Sequence, residues 1–163
     1  MHREILIIVA AVAIAVVAWL TLFSGQSIGS KEAVGAVPVP FSQITQGTQS
    51  KVTERVNYLV TSSVGLKELW KLIDAPGTPP SIDFSTQAVA AVFAGERSSG
   101  GYNIAVSKVV DANTARTVYV MLSNPGVGCA TTQALIAPYE VIVLPVTALP
   151  LTHKDESVTK DCQ

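Results

Sequence analysis

Few residues in this 163-residue chain are equipped for chemistry, since it holds only two His and two Cys. His2 sits at the N-terminus, so His153, in a polar stretch near the C-terminus, is the one imidazole of the later sequence. A single His without neighbouring Cys or carboxylate spacing makes a poor set of metal ligands. A Ser-His-Asp relay would have to recruit that same residue. Gly25, Ser27 and Gly29 match the G-x-S-x-G spacing of a hydrolase elbow, which needs a strand before it and a helix after it. Here a long apolar run precedes it and a Gly- and Pro-rich stretch follows, so the match is set aside. No H-E-x-x-H, phosphate-loop, dinucleotide or calcium-loop spacing occurs. The expectation is a non-enzyme with no catalytic residue, metal or cofactor.

Binding chemistry is better represented. Arg97, Ser98, Ser99, Gly100, Gly101 and Tyr102 form a loop between two strand-like segments. Arg and Tyr are enriched at interface hot spots, and the paired glycines permit positive φ or a close backbone approach. The plain alternative is a hairpin turn with a bulge. A phosphate cradle is disfavoured because the glycines lead into a strand instead of a helix N-terminus. Asn124, Pro125, Gly126, Val127 and Gly128 make a second glycine-rich loop with the same ambiguity. Cys129 and Cys162, if paired, would pin the tail to that loop and stabilise by ~3–4 kcal/mol. Sequence leaves the pairing open, because it carries no geometry.

The remaining residues must position these groups. The chain is 48% apolar and 14% charged, with 11 Lys and Arg against 12 Asp and Glu. That balance excludes a disordered chain and offers no basic footprint for nucleic acid. Residues 5–23 form an apolar run in which Thr21 is the one polar member. At ~1.5 Å per residue this gives roughly 28 Å of helix, close to the ~30 Å hydrocarbon core of a bilayer. Its length favours an uncleaved transmembrane anchor over a cleaved signal peptide. Arg3 before the run and Lys31 well after it favour residues 1–4 inside and the C-terminal domain outside, as a single-pass cell-membrane protein. Residues 24–40, rich in small residues, Gly and Pro, read as a flexible linker.

Residues 41–163 suffice for one domain. Strands are expected over 41–45, 52–60, 87–95, 102–110, 117–122 and 139–144. Leu66, Leu69, Trp70 and Ile73 lie at i, i+3, i+4 and i+7, a helix stripe capped by Ser62 or Ser63 and stopped at Asp74-Ala75-Pro76-Gly77. The 87–95 strand is apolar on both faces, which places it mid-sheet, with Ala88, Ala90, Val92 and Ala94 leaving room for the helix. The fold class is therefore an N-terminal transmembrane helix plus one α+β domain, a mostly antiparallel β-sheet packed with one amphipathic helix.

Taken in order, several segments resemble the PrcB C-terminal domain family of bacterial envelope proteins. They are Leu69-Trp70, Pro79-Pro80 with Ile82-Asp83-Phe84-Ser85, the strand ending at Gly95, and Arg97 with Ser99-Gly100-Gly101-Tyr102. Pro125-Gly126 and the run from Pro138 through Tyr139, Glu140 and Val141 to Pro145 complete the set. The resemblance implies a non-catalytic accessory or stabilising subunit of an envelope protease complex, with a secreted or envelope protease as protein partner. Two other functions are compatible with the sequence: a loop-based protease inhibitor, and a small-ligand or glycan-binding envelope domain.

Overall fold

The computed structural model describes residues 35–161. The transmembrane anchor expected over 5–23 and the first part of the 24–40 linker lie outside the described residues, as does Cys162. Among the described residues no helix is long and apolar enough to cross a membrane.

Among the described residues two four-stranded sheets and one helix make up the domain. The first sheet has the order β1 (Val37–Pro38), β5 (Asn103–Asp111), β6 (Arg116–Pro125), β8 (Leu151–Lys160). The second has the order β2 (Ser42–Gly47), β7 (Tyr139–Pro145), β4 (Gln87–Phe93), β3 (Val56–Val60). All neighbours are antiparallel except β6 and β8, which run parallel. The expected α+β class and antiparallel bias hold, and the sheet is divided into two layers. Val37 and Pro38, in the stretch read as linker, pair with Asp111 and Val110, and Val39 enters the core.

Helix α1 (Ser63–Leu72) begins where the Ser62 hydroxyl accepts the Gly65 N–H at 3.2 Å. That bond satisfies one of the orphan donors of the first turn. Leu66, Leu69 and Ile73 bury the expected stripe against Val89, Ala91 and Phe93 of β4 and Tyr139 and Val141 of β7. The opposite face of β4, with Ala90, Val92 and Ala94, packs between the sheets against Ile104, Val106, Val109, Val118 and Val120. The helix therefore lies on the larger face of β4, not on the small-residue face the sequence suggested. The helix brings a single row of side chains and needs a broad apolar floor. A facing sheet brings two strands of branched side chains, and alanines let it approach.

Two expected loops also differ. The segment after β4 does not turn back as a hairpin, because β4 and β5 belong to different sheets; it is a crossover. The polar C-terminal tail is β8, an exposed strand paired with β6 along its whole length. It has no apolar alternation, since almost nothing covers it, and so carries no strand signal.

Polar side chains bridge the two sheets at both edges of the sandwich. On one side Gln46 of β2 donates to the Ile104 carbonyl at 2.9 Å. Beside it Glu140 of β7, 4% exposed, projects between the sheets and accepts the Val106 N–H. That amide lies at a register shift between Val106 and Lys108, where the β5–β6 ladder is interrupted. On the other side Arg55 grips Asp155 through Nε (2.9 Å) and Nη2 (2.6 Å) and caps the Phe93 carbonyl through Nη1 (3.1 Å). Buried Arg116 holds Asp111 with bonds of 2.6 and 2.8 Å and donates to the Pro145 carbonyl, fastening the β5–β6 hairpin to the end of β7. Its guanidinium keeps the Asp111 carboxyl below the usual carboxylate range.

Two tests follow from these contacts. Gly95 has φ +77°, and a Cβ there would lie 2.8 Å from the Thr53 carbonyl oxygen. Gly95→Ala is expected to lower the free energy of unfolding in urea by ~1–3 kcal/mol with an unchanged m-value. Burial pushes the Glu140 carboxyl above its ordinary 4.5, with the Val106 amide pulling weakly the other way. Because the folded state then holds its proton more tightly than the unfolded chain, Glu140 makes stability fall as pH rises above about 4.5. Glu140→Gln should flatten that part of the stability profile, and an unchanged slope would refute the assignment.

Candidate binding site

The crossover between β4 and β5 carries the residues singled out for binding, and backbone pairing fixes its shape. Arg97 forms an isolated bridge with Ile136, donating at 2.7 Å and accepting at 3.0 Å. Gly100 N–H donates to the Thr132 carbonyl at 2.9 Å. Gly101 has φ +89°, and a Cβ there would sit 3.1 Å from both Pro125 and Thr131. The two glycine-rich loops that look separate in sequence are thus packed into one platform, with Gly100 and Gly101 leaving room for Thr132, Pro125 and Thr131.

Within the platform, Arg97 and Tyr102 serve each other. The guanidinium lies 5.7 Å from the Tyr102 ring centroid and donates through Nη2 to the Ala94 carbonyl at 2.9 Å. Both side chains are half-buried, Ser99 donates to the Gly100 carbonyl at 3.3 Å, and Gly100 itself is buried. Ser98 is the exposed side chain of the set, with Gly101 presenting backbone beside it. What the loop offers a partner is a rigid backbone surface braced by a cation–π contact. In the adjoining loop Val127 is fully exposed at a turn closed by Cys129 N–H donating to Gly126 O at 3.2 Å.

Cys129 is disulfide-bonded, and its sulfur lies 3.7 Å from the Lys160 carbonyl oxygen. Gly126 N–H donates to the same carbonyl at 2.9 Å, so the end of β8 abuts the platform. Among the described residues no His, Cys, Asp and Glu side chains are grouped to hold a metal ion. His153, read as a solvated tail residue, lies on β8 beside a cleft between the two sheets. No sequence signal marks that cleft, because its walls are brought together only by the packing of β3, β4, β6 and β8.

Residues 88–145 match the family model described as PrcB C-terminal, a span that runs from β4 through β7 and contains the 97–102 loop. The match bears out the resemblance drawn from the sequence over that span. No curated protein and no solved structure matches the chain.

Gly101 gives the direct test of the platform. Gly101→Ala should strain the positive φ, and the Gly100 and Arg97 amides should exchange with solvent about tenfold faster or more. Unchanged exchange at those amides, measured by NMR, would mean that the two loops are not mutually braced.

Proposed function

We propose that the chain is a non-catalytic, membrane-anchored interaction domain that stands outside the cell membrane and holds a protein partner, as an accessory or stabilising subunit of an envelope protease complex. The match of residues 88–145 to the PrcB C-terminal family carries this reading. The apolar run at 5–23 supports the anchor, and the positive charge at Arg3 supports an outward-facing domain. The braced platform around Ser98 and Gly101 is the contact surface, since a rigid loop loses little conformational freedom on binding. Pairing of Cys129 with Cys162 belongs to the same reading, because an oxidising compartment preserves such a bond.

The test is crosslinked capture of partners from native membranes by the tagged full-length protein. Arg97→Ala/Tyr102→Ala removes the brace, while Ser98→Arg leaves it intact and alters only the exposed face. Recovery of a protease or its envelope complex by the wild type, lost in both variants, is the expected result. Equal recovery by all three proteins would reject the loop as the site, and no specific recovery by the wild type would reject the interaction role.

A further inference from the structure

The two long sides of the sandwich differ in what fills them. Between β2, β7 and β5 the space is occupied by Gln46 and Glu140. Between β3 and β8 it is not: a cleft of about 250 Å³ opens there, reaching inward to Ala90, Val92 and Val118. These three belong to the core between the sheets, so the floor is apolar and continuous with it. Leu59 pairs with Ala90, which turns its side chain toward the same interior face, yet it remains 50% exposed. An inward-facing leucine left half in water marks a core that is incompletely filled.

The mouth has the opposite character. Asn57 and His153 flank it from β3 and β8. Asn57 Oδ1 accepts from Arg55 at 2.6 Å, which leaves the amide NH₂ as its free end. Neither that NH₂ nor the His153 ring makes a hydrogen bond among the described residues. No carboxylate lines the cleft, and the nearby Asp155 is neutralised by its two bonds to Arg55. An apolar floor below unpaired donors fits a ligand with an apolar body and an acceptor head.

We propose that this cleft binds a small amphipathic carboxylate, a medium-chain acyl acid, with its chain against Ala90, Val92 and Val118 and its carboxylate at Asn57 and His153. A cavity of ~150 Å³ takes benzene, so this one takes an apolar molecule of roughly ten heavy atoms, the size of octanoate. The site is separate from the Arg97 platform and does not depend on the partner-binding role.

The probe is octanoate, titrated into the full chain in phospholipid nanodiscs with ¹³C-labelled Leu and Val methyls, with 1-octanol and acetate in parallel. Saturable shifts are expected at Leu59, Val92 and Val118, and none at Val89 and Val141 on the helix side of the sheet. Leu59→Trp, at a half-exposed position that a larger side chain can occupy, should weaken octanoate binding about tenfold or more by filling the cleft. His153→Val should weaken octanoate about tenfold and leave octanol unchanged, as expected for a lost hydrogen bond to a charged group. Non-saturating shifts, shifts shared equally by the helix-side methyls, or octanoate binding indifferent to Leu59→Trp would overturn the site. Octanoate and octanol responding alike to His153→Val, or saturable binding of acetate, would overturn the assignment of an acyl carboxylate.

Discussion

From Ala88 to Phe93, every side chain of β4 is buried, and the rest of the domain is arranged around that fact. A strand in the middle of a sheet with no solvent face needs a separate covering on each side. Helix α1 supplies one and the β5–β6 hairpin the other. The two faces are not interchangeable, since Phe93 packs beneath the helix with Tyr58 at 5.6 Å and Tyr139 at 6.1 Å between ring centroids. A one-residue slip would send Phe93 between the sheets and set alanine under the helix. The register is thus enforced twice, which is a tighter specification than a sheet with one wet face receives.

The unequal edges follow from the same three-layer plan. Where β7 and β2 overlie β5, the sheets meet closely enough for Gln46 and Glu140 to satisfy backbone groups across the gap. At the far edge, β3 is shorter than β8 and the two are joined by the Arg55–Asp155 pair. The long Arg55 side chain reaches Asp155 across a gap that packed methyl groups do not fill, so the sandwich is bridged there instead of sealed. Buried Arg116 has a different duty. It ties Asp111 and the Pro145 carbonyl together at the point where the chain leaves β7 for β8, so that crossover starts from a fixed place.

Much of this was legible in the residues. The Leu66, Leu69, Trp70, Ile73 stripe and the Ser62 cap gave α1, and the doubly apolar run gave β4, because both patterns report burial directly. β5 and β6 were visible as alternation flanking a turn. What sequence did not reveal depended on tertiary pairing: that the strands divide into two sheets, that the Gly95 to Tyr102 segment crosses between them, and which face of β4 takes the helix. β8 was missed for a physical reason, since an edge strand with solvent on nearly all sides needs no apolar period. That residues 97–102 lie between two strands was legible, but the mutual use of Arg97 and Tyr102 was not, as a cation stacked on a ring and a cation offered to a partner have the same sequence.

β8 is also the element that departs from the plan. It lies beyond the span matched to the PrcB C-terminal family, contributes only Leu151 to the core between the sheets, and reaches β6 through the short 146–150 crossover. Were β8 to lift away, the core would stay largely intact and the edge of β6 would present an unpaired row of backbone donors and acceptors. The sequence that fits that edge best is another β8. Two copies of the domain that meet could therefore exchange their last strands with the crossover as hinge, and each exchange would part the Cys129 sulfur from the Lys160 carbonyl of its own chain.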